Sequence, residues 1–226
     1  VTILDYGVIT KEIASDDAIQ HFGLQSPYLV MELIEGSNWS RVAEQVIWPD
    51  LEIMIIQILD ALSHAHARGV IHRDIKPENI MMSSLSQKLS DQRAILTDFG
   101  LATAFNSNQN FDSESIAGTP AYMAPEQFLG HWRDQGPWTD LYSLGCTIWR
   151  MVSRSAPYGN GSDVHSIAKG HIYESIPKLQ NSVVVPKGLE KWLRRLIAKR
   201  PQERFANAAE AKQALLQIDQ TPIQPL

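Results

Sequence analysis

The sequence predicts an α+β fold with a short strand-bearing beginning and a helix-rich remainder. Three observations carry that expectation. VTILDYGV at 1–8 and PYLVMEL at 27–33 are short and rich in β-branched and aromatic residues, as strands are. LEIMIIQILDALSHAHAR at 51–68 is too long for a strand, and its apolar residues cover most of a helix circumference, which suits a buried central helix. Beyond it, short apolar runs separated by polar turns give way to further helical patterns.

Taken in order, the first two runs would pair as an antiparallel hairpin around a long polar loop at 11–26. EGSN at 35–38 has the composition of a turn. Asp50 is placed to cap the long helix and Gly69 to close it. His64 and His66 stand two apart on that helix and so do not share a face, which argues for ordinary helix residues rather than a metal pair. VI (70–71), NIMM (79–82) and AILT (94–97) predict a small sheet. Helices are expected at 139–154, 188–199 and 207–218, the last opening with Asn207 and Glu210 at capping-box spacing. The final TPIQPL cannot continue a helix and is expected as a loose tail.

Composition bounds the partners. A chain of 226 residues can bury one sizeable core, or two unequal ones. Its net charge of −5 and the absence of basic runs give no support for nucleic acid as a partner. One cysteine, Cys146, excludes an internal disulfide and suits a reducing, cytoplasmic setting. No run approaches the ~20 apolar residues that a membrane-spanning helix needs.

The chemistry is concentrated in VIHRDIKPENIMM at 70–82. Asp74, Lys76 and Asn79 are spaced by two and then three, which fits neither one strand face nor one helix stripe, so a loop must place them. Asp98-Phe99-Gly100 follows, and then Ala124-Pro125-Glu126. These three motifs, in this order, resemble the catalytic loop, the metal-binding loop and the end of the substrate loop of protein kinases. Lys76, AGTPAYMAPEQ at 117–127 and DLYSLG at 140–145 are most similar to the eukaryotic-like Ser/Thr kinases of bacteria.

That resemblance implies a protein-kinase-like fold, mainly the helical C-terminal lobe with a remnant of the N-terminal-lobe sheet. Its parts would be 1–34 (remnant and hinge), 35–218 (larger lobe) and 219–226 (tail). It implies ATP and Mg²⁺ as cofactors, and Ser/Thr-bearing proteins as substrates. Asn79 and Asp98 would hold the metal through hard oxygen donors. Lys76 would stand beside the γ-phosphate, Asp74 would take the hydroxyl proton, and Thr119 would contact the catalytic loop. Met31, Glu32, Leu33 and Ile34 would line the adenine edge, with Met81 under the ring. Asp140 would anchor the catalytic loop, and Glu126 would pair with Arg204. Arg73 would receive a phosphate on Ser113 or Ser115, in a loop that also holds Thr103, and dimerisation for autophosphorylation would fit. Tyr142 replaces the Trp more usual in eukaryotic members, and Cys146 on the same helix is expected to pack rather than react.

The sequence departs from the family pattern at its start. No G-x-G-x-x-G precedes the first strand, and Lys11, the one lysine before the hinge, is out of register with the family's ATP-binding lysine. Loss of one preorganised charge-stabilising donor lowers rates by ~10²–10³. The expectation is therefore an N-terminally truncated kinase domain, nearly inactive by itself, with a non-catalytic binding or scaffold module as the alternative.

Overall fold

The computed structural model describes residues 2–13, 15–44, 46–83, 92–99, 120–160 and 163–225. They divide into two units, Val1–Glu35 and Gly36–Leu226. In the first, β1 (Ile3–Val8) and β2 (Pro27–Met31) pair antiparallel, with Ile3 opposite Met31 and Val8 opposite Pro27. The hairpin is as expected, but the stretch between its strands is not all loop. It carries α1 (Asp16–Phe22), favoured by Asp16 and Asp17 in its first turn, where carboxylates meet the positive end of the helix dipole. Gly23 ends it at a φ of 82°, a left-handed conformation that glycine adopts without strain.

The second unit opens with β3 (Gly36–Asn38) where a turn was expected. It pairs with β4 (Ile80–Ser83), which pairs with β5 (Ala94–Leu96), giving an antiparallel sheet in the order β3-β4-β5. Residues 70–71 form no strand and run as an extended connection into the loop. Asn38 caps α2 (Trp39–Val42) by accepting from the Arg41 N–H at 3.2 Å. α3 (Trp48–His66) starts earlier than its sequence pattern suggests, because Pro49 suits the first turn. Asp50 therefore sits inside that turn rather than at the cap. Leu51, Met54, Ile55, Ile58, Leu59 and Leu62 form one buried stripe at helical spacing, all 0 % exposed.

α4 (Pro125–Phe128) leads by a short connection to α5 (Pro137–Ser153), the most enclosed helix described. At Gly145 a β-carbon would lie 2.6 Å from the Ile197 side chain, so glycine permits the close approach of α5 to the end of α7 (Leu189–Leu196). α6 (Val164–Tyr173) lies between them in sequence, capped by Asp163. α8 (Ala208–Leu215) is capped by Asn207, which accepts from Glu210 N–H at 2.9 Å. The reciprocal bond shifts by one residue, since Glu210 accepts from Ala206 rather than from Asn207. The expected loose tail is also corrected. Pro222–Ile223 forms β7 and pairs antiparallel with β6 (Val185–Pro186), while Asn181 donates to the Gln224 carbonyl at 3.1 Å. An extended, proline-bearing segment cannot be helical, yet it can complete an edge pair.

Truncating a buried leucine leaves a cavity that typically costs about 2–5 kcal/mol. Leu59→Ala is expected to lower the urea-derived unfolding free energy into that range. A loss below ~1 kcal/mol would contradict the central place of α3.

Candidate active site

The loop between α3 and β4 is held from beneath by Asp140, in the first turn of α5. Its Oδ2 accepts from the His72 N–H at 2.8 Å and its Oδ1 from the Arg73 N–H at 2.8 Å. The His66 Nε2 lies 2.8 Å from Oδ2, with the Asp140 side chain fully buried. Buried N–H groups left without acceptors are costly, so the carboxylate fixes this turn. Arg73 has a φ of 66°, unusual for a residue other than glycine, and the two flanking bonds hold it there.

That reversal presents Asp74 at the surface of the loop. Lys76 Nζ donates to Asp74 Oδ2 at 2.8 Å, and Asn79 Nδ2 donates to the same oxygen at 3.0 Å and to the Asp74 carbonyl at 2.8 Å. A flipped Asn79 amide would set oxygen against oxygen, so its Oδ1 must point away from Asp74. Pro77 opens the short 3₁₀ turn Pro77–Asn79 that places this amide. Asp98 follows β5, and Thr97 just before it donates through its N–H to the Asn79 carbonyl at 2.9 Å. That bond ties the segment carrying Asp98 to the loop carrying Asn79. Asp98 also has a left-handed backbone, at φ 61°. His72 bridges the two segments from behind. Its Nδ1 accepts from the Asp74 N–H at 3.3 Å, so Nε2 carries the proton and donates to the Thr97 carbonyl at 2.8 Å, with the ring tilted against Phe99.

A second anchor sits beside this loop. Arg204 binds Glu126 through two parallel bonds of 2.7 and 2.9 Å. Its other N–H groups reach the carbonyls of Trp138, Ala198 and Lys199, so all five donors are used. Thr139 donates to the same Glu126 carboxylate at 2.8 Å. Gln127, next to Glu126, links this anchor to the loop by donating to the Arg73 carbonyl at 2.9 Å while accepting from the Ala124 N–H at 2.9 Å. Sequence reasoning missed Gln127 and His66, whose partners lie 54 and 74 positions away.

Of the residues singled out by sequence, the structure brings Arg73, Asp74, Lys76, Asn79, Asp98, Phe99 and Asp140 around one loop, and joins Glu126 to Arg204 beside it. Met81 lies on β4, half-buried, on the strand face opposite Ile80 and Met82. Met31 ends β2, and Glu32, Leu33 and Ile34 follow it in the first unit. Gly100, Thr103, Ser113, Ser115 and Thr119 lie outside the described residues. No cluster of three or more His, Cys, Asp or Glu suited to a metal occurs among the described residues. An amide oxygen and a carboxylate suit a hard cation that takes its other ligands from phosphate and water. No helix among the described residues is long and apolar enough to cross a membrane.

Behind α4 lies a buried histidine. His171 accepts or donates at Nδ1 with the Tyr142 hydroxyl at 2.8 Å, and its ring packs against Phe128 and Tyr158. Burial, and secondarily the Lys199 charge, push its pKa down to about 3. Burial also raises the Cys146 thiol well above its ordinary range, which makes it an unreactive packing residue.

Over residues 11–216 the chain matches the family described as protein kinase domain. Among curated proteins it is similar to the serine/threonine-protein kinase PknJ of Mycobacterium bovis, with 30% identity over 187 residues, 81% of this chain and 31% of that protein. It is similar to the probable serine/threonine-protein kinase PknB of Bifidobacterium longum, at 34% over 197 residues, 84% of this chain and 27% of that one. With the serine/threonine-protein kinase Pkn1 of Myxococcus xanthus it shares 31% over 191 residues, again 84% and 27%. The chain spans less than a third of the length of these relatives.

Removing one partner of a buried ion pair leaves the other charge uncompensated, a loss of ~3–5 kcal/mol. Arg204→Ala is expected to lower stability by that amount in denaturant unfolding, and Arg204→Lys to recover little, because an ammonium cannot supply five fixed donors. An unchanged melting temperature would refute the anchor. A pH effect follows from His171. The unfolded chain takes up its proton near the ordinary pKa of 6.5, whereas the folded chain resists until about 3. Stability present above pH ~6.5 should thus fall as pH drops through that window, and less steeply in His171→Asn, measured as melting temperature against pH.

Proposed function

The chain belongs to the protein kinase family, and from that premise we propose that the protein carrying it transfers the γ-phosphate of ATP to serine or threonine hydroxyls of protein substrates. The observation that carries this reading is the Asp74, Lys76 and Asn79 constellation, fixed on a backbone that Asp140 holds at Arg73. Phosphoryl transfer needs little covalent chemistry from the protein, and depends on positioning and on charge.

Asp74 Oδ2 is occupied by Lys76 and Asn79, so Oδ1 is the oxygen left to accept the substrate proton. As the hydroxyl oxygen bonds to the γ-phosphorus, the bond from that phosphorus to the β–γ bridging oxygen breaks, and ADP departs. The Lys76 ammonium supplies positive charge beside the transferring group. Asn79 Oδ1 and the Asp98 carboxylate fit Mg²⁺, which when bound offsets the charge of the phosphate oxygens. Residues 31–34 and Met81 are proposed to meet the adenine, and Thr119 to contact the catalytic loop, on family resemblance.

Regulation fits the same loop. Arg73 Nε is buried and without a hydrogen-bond partner among the described residues, which supports Arg73 as the receiver of a phosphate on Ser113 or Ser115. Self-association for that phosphorylation, a cytoplasmic setting and Ser/Thr-bearing protein substrates complete the proposal.

The test uses the full-length protein from its source with γ-labelled ATP. Transfer should require a divalent cation, and Asp74→Asn should lower kcat by roughly 10²–10⁴, the usual contribution of a general base. Transfer that survives both chelation and Asp74→Asn would overturn the reading.

A further inference from the structure

We propose that His171 is a positioning residue for the segment 120–128, and that it thereby sets how tightly a peptide substrate is held rather than how ATP is handled. The inference rests on the kinase reading above. Segment 120–128 borders the catalytic loop, since Gln127 binds the carbonyl of Arg73, one residue before Asp74. Gln127 thus sets this segment, which opens with the 3₁₀ turn Pro120–Tyr122, against the loop that a substrate hydroxyl at Asp74 would approach.

That segment is held from two sides. Its front is held by Gln127 and by the Glu126–Arg204 pair. Its back rests on His171, 0 % exposed, whose ring stacks at 5.5 Å on Phe128 at the end of α4, and α6, which carries it, packs against the 3₁₀ turn Pro120–Tyr122. His171 is in turn held rigidly. Lys199 Nζ donates to the carbonyls of Gly170 and His171 and to the Tyr158 hydroxyl, at 2.7, 2.8 and 2.7 Å. Tyr142, which binds His171 Nδ1, has the Arg204 guanidinium over its ring at 4.7 Å. The two holds thus join into a closed circuit around α4, running from Arg204 through Glu126, α4, Phe128, His171 and Tyr142 back to Arg204. At the His171 position a residue must fill the ring's space and offer a polar atom to the Tyr142 hydroxyl, because a buried hydroxyl without a partner is penalised.

Two substitutions separate positioning from mere packing. Asn keeps a polar atom where Nδ1 stands, and Leu keeps volume without one. In the full-length protein, with a degenerate peptide mixture bearing one central serine, His171→Leu is expected to raise the peptide KM about tenfold. The ATP KM and kcat should stay within about threefold, and His171→Asn should return most of the peptide KM. Hydrogen–deuterium exchange on the same proteins should quicken over 120–128 in the Leu variant and not in the Asn variant. An unchanged peptide KM with unchanged exchange would overturn the proposal, as would equal losses for peptide and ATP that Asn does not repair. If the unsubstituted protein transfers no phosphate, the kinase reading fails instead, and the exchange comparison alone decides whether His171 holds the segment.

Discussion

A buried carboxylate organises the site. Asp140 could not remain enclosed without compensation, and its compensation is threefold: two backbone N–H groups, an imidazole and the positive end of α5. The dependence runs both ways. The N–H groups of His72 and Arg73 point inward and would be orphaned without that acceptor, so the loop cannot relax into a more comfortable backbone at Arg73. The left-handed residue is therefore a consequence of satisfying buried polar groups, and the direction of Asp74 is a consequence of the left-handed residue.

The Glu126–Arg204 pair solves a different problem. It fastens a segment that has little regular structure of its own, because α4 is a single turn. A lone salt bridge would do this poorly, since desolvating two charges offsets much of their attraction. Here the guanidinium spends its remaining donors on three carbonyls and the carboxylate takes a hydroxyl as well, so no charged atom of the pair is left bare. The segment bearing Gln127 then becomes a fixed neighbour of the loop that carries Asp74.

What the sequence disclosed followed the physics of each feature. α3 and α5 were legible because their apolar positions repeat at helical spacing over many turns, and the loop residues because three motifs fall in one order. α1, β3 and α6 were not legible, for separate reasons. The first is short and polar, the second is three residues held by its partner β4, and the third carries Gly170 and His171 where a regular apolar stripe would run. The β6–β7 pair was hidden because a two-residue strand exists only through its distant partner. His66 was dismissed on the correct ground that it does not share a face with His64; what it does share is the carboxylate of a helix that begins 71 positions later at Pro137, which no local spacing can reveal.

Burial divides the site into two kinds of residue. Asp140, His72, Glu126 and Arg204 are nearly or wholly enclosed, and their hydrogen-bonding capacity is committed to other parts of the chain. The side chains of Asp74 and Lys76 remain 21% and 18% exposed, and Asp98 is exposed. Groups left open can take up new partners, whereas groups that hold the backbone need full satisfaction, and one residue cannot supply both. Separating the two roles lets the enclosed set over-determine the backbone while the exposed set keeps free lone pairs and charge. The strain at Arg73 and Asp98 lies at the boundary between the sets, where enclosed contacts force the chain to turn outward.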